Sequence, residues 1–261
     1  MAERAWPRLA AWSEDPKSSA ILTDIDGTLS PIAPTPAVAF VPDELKELLA
    51  KLHKKYLLVA GVSGRKTEEA RELVGIEGIT YFGNHGFEVM REDGEVEVIP
   101  EALPYMENIE ELETLAREEL APLGAFVEEK GITASIHFRN VPPEVGEKCV
   151  AFAREHGERL GLRVTVGRGI VEARPPIKTD KGTAVRTLVE EHKPKRAMFL
   201  GDDTTDLDAF RELEKMRDEG TLEEILRVGV KSDEGPPEIV SEADIVADGV
   251  EGVGEVLRSL L

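Results

Sequence analysis

Two aspartates, Asp24 and Asp26, follow directly on the apolar run Ala20-Ile21-Leu22. The run reads as a buried strand, so the pair sits where a strand opens into a loop. A carboxylate in that position can attack an electrophilic phosphorus while a metal ion screens the charge, and an aspartyl-phosphate is one known product of such a nucleophile. In this reading Asp24 is the nucleophile and a metal ligand. Asp26 protonates the leaving oxygen and then activates water to discharge the phosphoenzyme. Gly27 permits a turn that a bulkier residue would hinder. A bare D-x-D pair also occurs in solvated turns, so the chemistry depends on what else the chain supplies.

Three later segments supply it. Ser63 follows the apolar run Tyr56–Val62, and its hydroxyl and neighbouring amides suit a phosphate oxygen in front of a helix N-terminus. The same serine also reads as an ordinary helix N-cap. Ser63-Gly-Arg-Lys66 matches the S-x-x-K pattern of acyl-enzyme hydrolases, but no companion motif accompanies it. Lys181, in Thr179-Asp-Lys-Gly182, opens a helix, where a cation is disfavoured by the helix dipole. That placement suits a cation that neutralises phosphate and nucleophile. Gly201-Asp-Asp-Thr-Thr-Asp206 follows the strand Met198-Phe-Leu200, and its three carboxylates would repel one another without a cation nearby. Mg2+ prefers oxygen ligands and retains several waters. It is the expected cofactor, with Asp202 as its primary ligand and Asp203 and Asp206 binding metal waters or orienting Lys181.

The elements around these residues alternate. Trp6, Leu9, Ala10 and Trp12 suit a short opening helix, and Pro31, Pro34 and Pro36 a stiff loop. Leu45, Leu48, Leu49 and Leu52 share one face of a helix expected from Pro42 to His53. Further helices are expected over 66–73 and 181–192, with strands at 197–200 and 227–230 and a closing helix. Continuous apolar strands separated by helices indicate an α/β fold with a doubly wound parallel sheet. Between about Gly86 and Arg174 the strands instead alternate apolar and polar residues, as in Thr133–Phe138 and Leu162–Val166, which indicates an inserted α+β module. The expected division is a catalytic core of residues 1–84 and 179–261, with an insertion of residues 85–178.

Composition narrows the partners. The net charge of −20, from 32 basic and 52 acidic residues, opposes binding to nucleic acid or to an anionic membrane. The single cysteine, Cys149, excludes an intrachain disulfide. Charges interrupt the first residues, so no signal peptide is expected, and no apolar stretch reaches membrane-spanning length. A monomer in the cytoplasm is the default expectation.

The four segments, in this order, resemble the haloacid dehalogenase superfamily of Mg2+-dependent phosphohydrolases. Asp24–Ile32, Ser63-Gly-Arg65, Gly83-Asn-His-Gly86 and Gly201–Asp206 are more narrowly similar to the trehalose-6-phosphate phosphatase family. The resemblance implies a HAD-like core whose insertion is an α/β cap closing over a small-molecule sugar phosphate. It implies hydrolysis of trehalose 6-phosphate, with Mg2+ held by Asp24, the Asp26 carbonyl and Asp202. Val127-Glu-Glu-Lys130, His137-Phe-Arg139 and Val171–Pro175 look like cap signatures. Arg65, Asn84, His85, Glu128, Lys130, His137, Arg139 and Glu172 would then bind substrate. His137 and Arg139 would project from one face of a strand. The plainer reading makes Lys130, Arg139 and Glu172 surface ion pairs and His85 structural. Leu207 departs from the family pattern, which usually carries an acidic residue there. Phosphatases for sucrose phosphate or glycosyl-phosphoglycerate, and phosphomutases or phosphotransferases, remain alternatives.

Overall fold

The computed structural model describes residues 7–33, 35–167, 169–232 and 235–261; Trp6 and Pro34 lie outside the described residues. In chain order, α1 (Ala10–Glu14) precedes β1 (Ser19–Thr23), α2 (Asp43–Lys55), β2 (Leu58–Val62) and α3 (Thr67–Val74). Three strands follow: β3 (Thr80–Gly83), β4 (Glu88–Met90) and β5 (Val96–Val98). Next come α4 (Met106–Glu119), β6 (Phe126–Glu129), β7 (Ala134–His137), α5 (Pro143–Arg159), β8 (Arg163–Gly167) and β9 (Ile170–Arg174). The chain ends with α6 (Lys181–His192), β10 (Arg196–Gly201), α7 (Asp206–Asp218), β11 (Glu224–Lys231), α8 (Pro237–Ser241), β12 (Ile245–Asp248) and α9 (Gly249–Ser259). It divides into two compact units, Met1–Glu97 with Thr179–Leu261, and Val98–Lys178.

The first unit is built on an eight-stranded sheet in the order β12-β11-β10-β1-β2-β3-β4-β5. From β12 to β3 every pairing is parallel, and β4 then runs antiparallel to β3. Side chains alternate across a strand, so each apolar run feeds two cores. Ile21, Val59, Met198 and Leu200 pack on one face with Leu45, Leu49 and Leu52 of α2 and Val253 and Val256 of α9. Ala20, Leu22, Ala60 and Phe199 pack on the other with Val185 and Leu188 of α6 and Phe210 and Leu213 of α7. Helices on both faces explain why these strands carry almost no polar residues. α2 begins after Pro42 with Asp43 and Glu44 in its first turn and ends in His53, Lys54 and Lys55, matching its charges to its dipole.

The insertion differs from expectation at its start. Residues 88–90 and 96–98 belong to the main sheet, and the second unit begins at Val98 rather than at residue 85. Phe87, Val89 and Met90 are buried in the first unit, so this stretch has no solvated face. The second unit is a four-stranded antiparallel sheet, β6-β7-β9-β8. Its core contains Ile109, Leu112 and Ala116 of α4, Cys149, Phe152 and Ala153 of α5, and Ala134, Ile136, Val171 and Ala173 of the strands. No described helix is long and apolar enough to cross a membrane.

The Phe210 ring is fully buried and meets Phe199 edge-on, with centroids 6.3 Å apart. Phe210→Ala is therefore expected to destabilise the first unit by about 3–5 kcal/mol, read as a lower midpoint in urea unfolding.

Candidate active site

β1 pairs in parallel with β10 on one side and β2 on the other. The chain passes from β1 to β2 and returns to β10 only much later, so β1 and β10 flank a topological switch point. Ligands of open α/β sheets bind at the carboxyl ends of strands at such a point. Asp24, the first residue after β1, donates its N–H to the Leu200 carbonyl of β10 at 2.8 Å. Its carboxylate is thereby set beside the loop that follows β10.

Lys181 occupies the first position of α6, whose N-cap Asp180 accepts the Thr183 N–H at 2.9 Å. Its ammonium donates to Asp24 Oδ1 and to Asp206 Oδ1, each at 2.6 Å, and all three side chains are buried. The second oxygen of Asp206 accepts the N–H groups of Asp202 and Asp203, both at 2.9 Å. Asp206 thus orients Lys181 and shapes the loop before α7. Asp203 plays a lesser part in this network: its Oδ1 accepts the neighbouring Thr204 N–H. Asp202 accepts from the Thr28 hydroxyl at 3.2 Å. Gly27 has φ of +86°, and a Cβ on it would stand 2.1 Å from an Asp202 carboxylate oxygen. Only glycine lets these two loops approach so closely. Leu207, where the family resemblance leads one to expect an acid, is the second residue of α7 and is buried in the core shared with α6.

Burial pushes Asp24 well above the usual carboxylate range; Lys181 opposes this, while Asp206 and Asp202 add to it. Asp202 is pushed up to about 7, first by burial and then by Asp206, against the pull of Lys181. Burial acts to lower Lys181, but the charges of Asp206 and Asp24 outweigh it and the net shift is upward, so the ammonium stays protonated. Three buried carboxylates against one ammonium leave a surplus of negative charge. Among the described residues, Asp24, Asp202 and Asp206 each offer an oxygen within 4.8 Å of the others. An all-oxygen set with excess negative charge suits a hard divalent cation. Because Asp206 already commits both oxygens to Lys181 and two amides, Asp24 and Asp202 are the better direct ligands.

Ser63 is buried at the end of β2, and its Oγ accepts the Arg65 N–H at 3.2 Å. It is not a helix N-cap: α3 starts four residues later, with Lys66 at the cap position. The Glu88 carboxylate takes over the capping, accepting the Thr67 N–H at 2.7 Å. Arg65 grips Asp26, its Nε donating at 2.6 Å and an Nη at 2.7 Å to the two carboxylate oxygens. This two-pronged geometry fixes the carboxylate plane. Asn84 is fully buried, and its N–H bonds to the Arg65 carbonyl at 2.7 Å. His85 bonds through its N–H to the Ser63 carbonyl at 2.9 Å, and its ring packs where Gly64 carries no side chain. Of the residues expected on substrate, Asn84 and His85 thus hold the Ser63 loop through their backbone N–H groups, and Arg65 holds Asp26 through its side chain.

In the second unit, Glu128 and His137 meet at 2.7 Å, and Lys130 lies 3.7 Å from Glu128. Glu128 pairs with Ser135, and Ser135 with Glu172, so these residues and His137 share the sheet face opposite Ile136 and Val171. Arg139 does not share it as expected: β7 ends at His137, and Arg139 is exposed in the turn after it. The turn is imposed by Pro142-Pro143, which open α5. Ser135 was not anticipated; it is fully buried on the polar face, and its hydroxyl has no hydrogen-bond partner among the described residues. The sequence signal for it is a serine flanked by inward-facing Ala134 and Ile136.

The trehalose-phosphatase family model matches residues 22–237, and the chain belongs to that family. It is 37% identical over 205 residues to a trehalose-phosphate phosphatase of Mycobacterium marinum, covering 73% of this chain and 50% of that protein. It is 35% identical over 199 residues to an uncharacterized glycosyl hydrolase of Mycobacterium tuberculosis, covering 73% of this chain but 15% of that one. The chain thus spans half or less of the length of these curated relatives. Among solved structures, the C-terminal domain of trehalose-6-phosphate phosphatase from C. albicans superposes with a TM-score of 0.74 at 22% identity, covering 97% of this chain and 95% of that one. A haloacid dehalogenase-like hydrolase from Bacteroides thetaiotaomicron gives a TM-score of 0.67 at 16% identity, covering 94% and 100%. At these identities the likeness establishes the fold, which is HAD-like α/β with a small antiparallel sheet in the insertion.

Two outcomes follow from the geometry. Mg2+ at one hundred times its dissociation constant should stabilise the protein by about 2.7 kcal/mol, seen as a rise in Tm that Asp202→Asn largely removes. Arg65→Lys, which keeps the charge but loses the two-pronged grip on Asp26, should lower kcat by about tenfold with a smaller change in KM.

Proposed function

We propose that this chain hydrolyses trehalose 6-phosphate to trehalose and inorganic phosphate through an aspartyl-phosphate on Asp24. The carrying observation is the buried Lys181, shared by Asp24 and Asp206 at 2.6 Å each. It fixes a positive charge beside a carboxylate at the open end of a strand, which is what a carboxylate nucleophile facing a phosphate dianion requires. The choice of substrate is supported by the family match over residues 22–237 and by mycobacterial relatives that bear the name trehalose-phosphate phosphatase.

Asp24 attacks phosphorus as the bond from phosphorus to the sugar oxygen breaks. For this step Asp26 must release one oxygen from Arg65 and enter protonated; it then gives that proton to the leaving oxygen and becomes the carboxylate. Ser63 and Lys181 receive the charge that builds on the phosphoryl oxygens. A water molecule then attacks the phosphoenzyme, Asp26 takes its proton, and phosphate leaves Asp24 free again. Asp24, Asp202 and the Asp26 carbonyl would hold Mg2+, which when bound supplies charge neutralisation for the phosphoryl group.

The sugar-contacting groups are assigned to the second unit, residues 98–178. Glu128 and Glu172 would accept from hydroxyls and Lys130 and His137 would donate to them. Such matched groups discriminate strongly, because a hydroxyl missing from the ligand leaves a buried partner unpaired.

Phosphate release measured with Mg2+ should be fastest on trehalose 6-phosphate and much slower on glucose 6-phosphate, sucrose 6-phosphate and glucosyl-phosphoglycerate. Faster release from any of the other three would reassign the substrate. Asp24→Asn should reduce kcat by several orders of magnitude, and near-normal turnover by that variant would refute the aspartyl-phosphate.

A further inference from the structure

We infer that Glu88 is a positioning residue that holds the phosphate-binding loop Ser63–Lys66 and the turn Asn84-His85 in one working arrangement. The inference rests on the role given to Ser63 above and extends it to a residue that touches no reacting atom.

Glu88 opens β4 and is buried, which is unusual for a carboxylate that lies outside the Lys181 cluster. Its Oε1 accepts the Thr67 N–H at 2.7 Å, at the first residue of α3. That helix has no side-chain cap of its own, so Glu88 supplies from another strand both the missing acceptor and a negative charge at the helix N-terminus. The carboxylate also accepts a hydrogen bond from the Asn84 side chain. One group therefore ties the end of the Ser63 loop to the turn after β3. Burial pushes Glu88 upward from the usual carboxylate range, with the bonds from Thr67 and Asn84 opposing this. Its position is thus maintained by specific donors.

The two segments that Glu88 joins are also clasped along their backbones. Ser63 N–H donates to the Phe82 carbonyl at 2.8 Å, Asn84 N–H to the Arg65 carbonyl at 2.7 Å and His85 N–H to the Ser63 carbonyl at 2.9 Å. This clasp requires Asn84 and His85 to adopt φ of +49° and +56°, a conformation that non-glycine residues seldom occupy. Strain of this kind persists only where surrounding contacts over-determine it, and the Glu88–Asn84 bond is one such contact. Gly83 leaves the room: a Cβ there would lie 2.6 Å from Glu88 Oε1 and 2.8 Å from the Arg65 carbonyl. Beyond the clasp, Arg65 reaches forward to both oxygens of Asp26. A shift of Glu88 would therefore be felt at Ser63, which faces the phosphate, and through Arg65 at the proton-transfer residue.

The test uses the intact chain with Mg2+ and two probes that carry no sugar, p-nitrophenyl phosphate as substrate and inorganic phosphate as inhibitor and calorimetric ligand. Glu88→Gln keeps the volume but turns an NH2 group towards donors. It should weaken phosphate binding and lower kcat by about tenfold each. Asn84→Gly, which relieves the backbone strain while deleting the bond to Glu88, should weaken phosphate binding in the same direction without loss of fold. Tyr81→Phe, in β3, is the control: it removes the buried 3.0 Å bond from the Tyr81 hydroxyl to the Ile76 carbonyl and should lower Tm while leaving phosphate affinity unchanged. Phosphate affinity within twofold of wild type in both Glu88→Gln and Asn84→Gly would overturn the inference. A wild-type chain that binds phosphate but does not turn over would count against the proposed reaction, while the calorimetric comparison would still decide the role of Glu88.

Discussion

A single ammonium, on Lys181, is shared by two carboxylates in a place largely closed to solvent. Burying one charge without a partner is prohibitive, and burying several is tolerable only when each is bonded. The surrounding architecture meets that condition piece by piece. Asp206 must be satisfied on its other side, and the turn before α7 presents two amides to it. Asp24 must lie within reach, and the bond from its N–H to Leu200 sets it there. Asp202 is the carboxylate that Lys181 does not bond, and burial, reinforced by Asp206, pushes it up to about 7. The unmet demand for positive charge concentrates there and on Asp24, where an incoming cation and a phosphoryl group would both be stabilised.

The residues of the candidate site stood out in the sequence because several sit at the ends of apolar runs of strand length. Asp24 after Leu22-Thr23, Ser63 after Val62 and Asp202 after Leu200 all follow that pattern. Lys181 was legible from its awkward place at a helix start. Arg65 was harder, since an arginine thirty-nine residues from Asp26 carries no local sign of which anion it meets. The stretch at 87–90 misled for a specific reason. A glutamate between Phe87 and Val89 imitates the alternation of a half-solvated strand, but Glu88 is buried and bonded. Hydrophobic pattern cannot separate a polar residue facing water from one facing a donor inside the protein. That ambiguity moved the expected start of the insertion by about one hairpin. Arg139 failed for a related reason: the pairing of β7 stops at His137, and the two prolines that follow dictate a turn the alternation could not reveal.

The two units solve burial differently, and their chemistry reflects it. In the first, each strand serves two cores and no face is left for polar residues, so the functional groups collect at strand ends. In the second, helices cover one face of the sheet, and the other is free to carry Glu128, Ser135, His137 and Glu172. Groups at strand ends are held by loops and helix starts, as the clasp around Ser63 illustrates. Groups on a sheet face are spaced by the pleat itself, which sets a fixed lattice of donors and acceptors.

Cys149 closes the comparison. It is the chain's one thiol, and it is fully enclosed in the core of the second unit, between α5 and the sheet. Any reagent that modifies it must wait until that unit opens. The rate of labelling therefore acts as an intrinsic clock for local opening of residues 98–178, and it runs without signal from the rest of the molecule and without an introduced probe.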